Sequence, residues 1–173
     1  RGKLLAGRLR GVAGARLRDL QAAFGRAGET LELRDDIERV TAGKLLVNLN
    51  NGVCAATGLG IAAALADRDA RACFAHCLRE GLRWMARAGL HPARVTVLPP
   101  ALLPLVLGLP DAVVSRMARA LVGVGPEARF STLQDLDRGR PTEIDELNGA
   151  IVALAERAGG AAPVNALITA LVH

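Results

Sequence analysis

The stretch Asp36-Ile-Glu-Arg-Val-Thr-Ala-Gly-Lys44-Leu-Leu-Val-Asn48-Leu-Asn-Asn51-Gly-Val-Cys54-Ala-Ala-Thr57 decides the fold. It reads as one long helix, opened by Asp35-Asp36 as an N-cap pair. On an ideal helix Asn48 lies about 40° and Asn51 about 20° from Lys44, so the three share one stripe. Leu45, Leu46, Val47 and Leu49 occupy the rest of the surface. An amine and two amides on a largely apolar helix are costly to bury without partners, and a bound polar small molecule would supply them. A solvated face is the plainer alternative.

Lys44 is singled out by composition as well as by place. The chain has 20 Arg against 2 Lys, the other being Lys3. An ammonium can give up its proton when desolvated, whereas a guanidinium cannot. A lysine kept in the apolar run Gly43 to Asn48 is therefore a candidate proton donor or Schiff-base amine. The competing reading is a snorkelling surface lysine.

Upstream of the helix, Leu4-Leu5-Ala6-Gly7, a helical stretch from about Val12 to Ala27, and Thr30-Leu31-Glu32-Leu33-Arg34 predict β–α–β. Downstream, a helix is expected from about Asp69 to Ala88, ended by Gly89. Pro92, Pro99, Pro100, Pro104 and Pro110 punctuate a loop with short helical turns. Helices are expected at about Asp111 to Val122, Ser131 to Asp137, Pro141-Thr142 to Gly159-Gly160, and from Pro163 onward. Gly58-Leu-Gly60-Ile-Ala-Ala63 fits a dinucleotide G-x-G-x-x-A, with Glu80 downstream. That motif needs a strand immediately before it, and the text before it is helical, so a helix–helix corner is expected.

Composition narrows the class. The 173 residues fit one ordinary domain, or one plus part of another. Hydrophobic residues make up 51%, but only Phe24, Phe74, Phe130 and Trp84 are aromatic, so a Leu/Ala/Val core and helices are favoured. The net charge of +5 is scattered, as in Asp67-Arg68-Asp69, and base-stacking aromatics are missing. Nucleic acid is not expected as a partner, although a basic surface would steer anionic ligands. Cys54, Cys73 and Cys77 point to a reducing, cytoplasmic compartment. Cys73, His76 and Cys77 lack a second ligand pair, so no metal is expected. No signal peptide or membrane span is read; the apolar run from Val95 to Pro110 is short and broken by proline.

Two further clusters are Ser131-Thr-Leu-Gln-Asp135 and Arg140-Pro-Thr-Glu143-Ile-Asp-Glu-Leu-Asn-Gly149. Each contains a capping box, which accounts for it locally. Taken in order with Lys44-Leu-Leu-Val-Asn48, they resemble the C-terminal domain of the ketopantoate reductases (2-dehydropantoate 2-reductases) over essentially the whole chain. The resemblance implies a mainly α fold: the all-helical domain of a two-domain NAD(P)-dependent reductase, residues 36–173. Residues 1–35 would be the closing β–α–β piece of a Rossmann-type domain whose first part is absent. It implies reduction of a small 2-oxo acid by NADPH, bound mainly by that absent domain, in pantothenate biosynthesis.

Roles follow from the same resemblance. Lys44 matches the catalytic lysine that protonates the ketone oxygen; Asn48 and Ser131 match substrate-binding residues; Glu143 matches a cofactor contact. Asn51 is a further substrate-binding candidate beside Asn48. Where the family usually has a second asparagine followed by proline, this chain has Gly52-Val53. If that amide serves the substrate, Gly52→Asn should improve use of ketopantoate. Another small carbonyl substrate, or a non-enzymatic helical module for dimerisation or partner binding, remains open, as does a homodimer.

Overall fold

The computed structural model describes residues 4–8, 14–114 and 138–173. β1 (Leu4–Gly7), α1 (Gly14–Arg26) and β2 (Leu31–Arg34) form the expected unit. The strands are parallel, with Leu4 opposite Leu31 and Gly7 opposite Arg34. β2 turns directly into α2 (Ile37–Thr57). Asp36 stands at the N-cap but makes no capping bond. Its carboxylate instead takes both arms of Arg34, at 2.8 Å from Nε and 2.9 Å from Nη2. That bidentate pairing holds the Asp36 carboxyl below the usual carboxylate range.

α2 is the central helix. Leu46, Leu49, Val53 and Cys54 are fully buried, a 3/4-spaced face turned toward α4 (Arg68–Arg87). The helix stops at Gly58, whose φ of +69° is a left-handed C-cap that a side chain would strain. Gly60 then opens α3 (Ile61–Ala66), and the Asp67 carboxylate caps α4 by accepting the Ala70 N–H at 2.8 Å. The Gly58–Ala63 motif is thus a helix–helix corner, preceded by α2 and not by a strand. On α4, Ala70, Phe74, Cys77, Leu78, Trp84 and Met85 face the core.

After α4 the proline-rich segment carries a 3₁₀ turn (Pro100–Leu102) and α5 (Leu103–Leu107). Arg71 ties these pieces together although it is 2% exposed. It donates to the carbonyls of Leu65 (3.1 Å), Ala66 (2.9 Å) and Leu107 (3.3 Å) and pairs with Asp111. Arg71→Met should therefore orphan three acceptors and cost about 2–4 kcal/mol. A thermal melt should fall by roughly 10 °C; a shift within about 2 °C would show that water replaces the guanidinium freely.

Residues 111–114 begin the helix expected from Asp111; its remainder and the Ser131–Asp137 helix lie outside the described residues. The helix expected from Pro141-Thr142 starts later. α6 spans Asn148–Arg157, and α7 spans Pro163–Val172. Residues 143–147 form a turn, with the Leu147 N–H on the Glu143 carbonyl (3.1 Å) and the Gly149 N–H on that of Ile144 (3.1 Å). Ile144 and Leu147 are both buried, which the turn permits. Asp145 meets His173 Nε2 at 3.1 Å instead of capping a helix at Thr142. The fold is mainly α, with a small parallel β–α–β unit at its start. Among the described residues no helix is long and apolar enough to cross a membrane.

Candidate functional site

The polar stripe of α2 lies opposite its core face: Lys44, Asn48 and Asn51 sit about 140–200° round the helix from Leu46. Exposure falls along it. Lys44 is exposed, Asn48 half-buried, and Asn51 only 5% exposed. The stripe therefore runs from solvent into the interior within two turns. Asn51 Oδ1 is buried with no hydrogen-bond partner among the described residues. Such an orphan costs about 1–3 kcal/mol.

The first turns of α2 are braced by the loop after α4. The Ala93 N–H donates to the Arg39 carbonyl at 2.8 Å, and Arg39 Nε donates to the His91 carbonyl at 3.1 Å. Gly43 lets that loop approach, since a β-carbon there would overlap the Ala93 carbonyl oxygen and come within 3.1 Å of Val95 Cγ1. Lys44 thus extends from a backbone clamped at the preceding residue. Glu143 is exposed, at the start of the turn that leads into α6. Ser131 lies outside the described residues.

Position 52 does not face the same space. A β-carbon on Gly52 would overlap Asn148 Oδ1 and lie 2.7 Å from Ile168 Cγ2 and 2.9 Å from Ile144 Cδ1. Gly52 is a packing glycine that brings α6 and α7 onto α2. The expectation that Gly52→Asn would add a substrate contact is overturned: the new side chain would enter the core.

The sequence reading missed a buried polar network behind α2. Asn148 Nδ2 donates to Asn165 Oδ1 at 3.0 Å. Asn165 Nδ2 donates to Glu80 Oε2 at 2.7 Å and to the Cys77 carbonyl at 3.2 Å. Glu80 also accepts the Val164 and Asn165 N–H groups, each at 3.0 Å, so it caps α7 from another helix. Glu80, the acidic residue of the discarded dinucleotide match, is a structural anchor. Cys77, beside this network, has its thiol pushed up by the Cys73 hydrogen bond and by burial. A usable signal existed: Asn165 interrupts the apolar run Val164 to Val172. An open depression lined by Arg68, Gly108, Leu109, Pro110 and Asp111 includes none of the candidate residues.

Residues 36–173 match the family described as ketopantoate reductase PanE/ApbA C terminal. The chain is 31% identical over 172 residues to the 2-dehydropantoate 2-reductase of Halobacterium salinarum, covering 99% of this chain and 51% of that protein. The PanE/ApbA family ketopantoate reductase from Ralstonia eutropha superposes with a TM-score of 0.73 at 26% identity, over 99% of this chain and 50% of that one. A D-mandelate dehydrogenase solved with NADH and anilino(oxo)acetate has the same fold, with a TM-score of 0.71 at 22% identity, over 98% of this chain and 64% of that one. The chain belongs to the ketopantoate reductase family, as its C-terminal, helical part. It spans between about two fifths and one half of the length of the curated relatives it matches.

Proposed function

We propose that this chain is the substrate-side half of an NADPH-dependent reductase that converts a small 2-oxo acid, 2-dehydropantoate, to its 2-hydroxy acid. The observation that carries the reading is the α2 stripe: an exposed amine at Lys44, one turn from the half-buried amide of Asn48, on a helix braced beside Gly43. Negative charge grows on a carbonyl oxygen as its carbon is reduced, and a positioned ammonium both stabilises and protonates it. Lys44 Nζ holds that proton. Asn48 orients the substrate by hydrogen bonding, Ser131 binds its hydroxyl or carboxylate, and Asn51 lies at the inner end of the stripe. The exposed Glu143 carboxylate suits a hydroxyl-bearing cofactor, which supplies hydride when bound.

The nucleotide pocket itself lies mainly outside these residues in this reading. β1 and β2 support it: a two-stranded parallel sheet is not independently stable, and Leu4 and Leu5 are 45% and 38% exposed on it. Residues 1–35 are then the closing piece of a Rossmann-type domain, and residues 36–173 the catalytic helical domain. The enzyme works in the cytoplasm, and a homodimer fits a family with a dimeric member in Staphylococcus aureus.

The test is oxidation of NADPH by the complete gene product with 2-dehydropantoate, beside a panel of aliphatic and aryl 2-oxo acids. Turnover best with 2-dehydropantoate supports the reading. Preference for an aryl 2-oxo acid would favour the second reading, a reductase of the same fold acting on another carbonyl. Absence of turnover with every acid would favour a non-enzymatic helical module. The 173-residue chain by itself should give no loss of NADPH absorbance above buffer; measurable turnover would overturn the split of labour between two domains.

A further inference from the structure

Four helices meet at one amide. Asn148 opens α6 and is fully buried. Its Oδ1 abuts α2 where Gly52 lacks a side chain, and its Nδ2 reaches Asn165 on α7, which is held by Glu80 on α4. Asn148 Oδ1 has no hydrogen-bond partner among the described residues. A buried amide that leaves one acceptor unmet is a poor device for stability alone, because an apolar side chain of similar shape carries no such penalty. Geometry is the other thing an amide can provide, since a hydrogen bond fixes direction as well as distance.

What it fixes is next to it in the chain. Asn148 directly follows the 143–147 turn, with Glu143 five residues before it, and contacts the helix that carries Lys44 and Asn48. We infer that Asn148 is a positioning residue: it sets the register between the Glu143 turn and α2, and so the place of the cofactor contact relative to Lys44. The inference rests on the reductase reading given above. Of the two elements it joins, α2 is a 21-residue helix with a buried face, whereas the turn is held by Leu147 and Gly149 N–H bonds, by burial of Ile144 and Leu147, and by the exposed Asp145–His173 contact. The turn is the softer element, so loss of Asn148 displaces Glu143 more than Lys44.

The experiment is Asn148→Leu in the complete reductase, with Glu143→Gln beside it. Leu removes the Asn148 orphan but leaves Asn165 Oδ1 without its donor, so one unmet group replaces another and the melting temperature should move by only a few degrees. The expected result is a rise of roughly tenfold in the KM for NADPH and in the Kd read from NADPH fluorescence, with kcat changed by less than about threefold. Glu143→Gln should show the same split. If Asn148→Leu lowers the melting temperature and leaves KM and Kd unchanged while Glu143→Gln raises both, Asn148 is a packing residue and the inference fails, with the reductase reading intact. If the wild-type protein neither binds nor oxidises NADPH, the reading and the inference fall together.

Discussion

Lys44→Arg should leave the fold and the charge in place and remove most of the kcat of the proposed reductase. The reason is chemical and geometric. A guanidinium does not surrender a proton at physiological pH, and its planar fork is broader than a single ammonium. Lys44 extends from a helix segment fixed at Gly43 by the Ala93 carbonyl, so the backbone cannot retreat to make room. Lys44→Ala should lose at least as much, because one positioned acid typically contributes about 10²–10⁴-fold. The residue is exposed, so neither change should disturb packing, and circular dichroism and melting should match the wild type. Steady-state kinetics decide the matter. Nearly full kcat in Lys44→Arg would reduce Lys44 to an electrostatic anchor and move the acid elsewhere.

The α2 helix and its polar stripe were legible because their signals are local. Lys44, Asn48 and Asn51 fall within two turns, and helical spacing alone brings them onto one side. The Gly58–Gly60 corner was legible for a similar reason: a helix ran into it, and a left-handed glycine ends helices. Errors arose where tertiary packing outranked local signals. Pro141-Thr142 carries every mark of a helix start, yet the chain turns through 143–147, with Ile144 and Leu147 buried, and becomes helical only at Asn148, whose amide is held by Asn165 on α7. Asp36 had the chemistry of a cap, but Arg34 offered its carboxylate two bonds from a cationic fork in place of one from a backbone N–H. The Glu80–Asn165 anchor joins residues 85 apart, so no window of sequence contains it. Gly52 shows the same limit: resemblance set it beside an expected asparagine, but only its neighbours say what its missing side chain makes room for.

That room is the basis of the second large effect. Gly52→Asn should destabilise the protein and not improve catalysis. The first added atom would overlap Asn148 Oδ1 and press on Ile168 and Ile144 at 2.7 and 2.9 Å. None of the three can step aside. Asn148 and Ile144 are fully buried, Ile168 is 4% exposed, and Asn148 is tied to Asn165. Relief requires α6 and α7 to withdraw from α2 together, opening space along Leu46, Leu49 and Val53 on the neighbouring core. Overpacking of a well-filled core costs about 1–3 kcal/mol for small additions, and a full amide should reach or exceed the upper end. For a chain of this size the melt should fall by roughly 10 °C. Gly52→Ala, with one carbon, should fall by less, and that ordering separates steric crowding from a lost functional group. A melt that stays within about 2 °C of the wild type in Gly52→Asn, together with a lower KM for 2-dehydropantoate, would mean that position 52 opens toward the substrate and that its contact with Asn148 is not what holds α6 against α2.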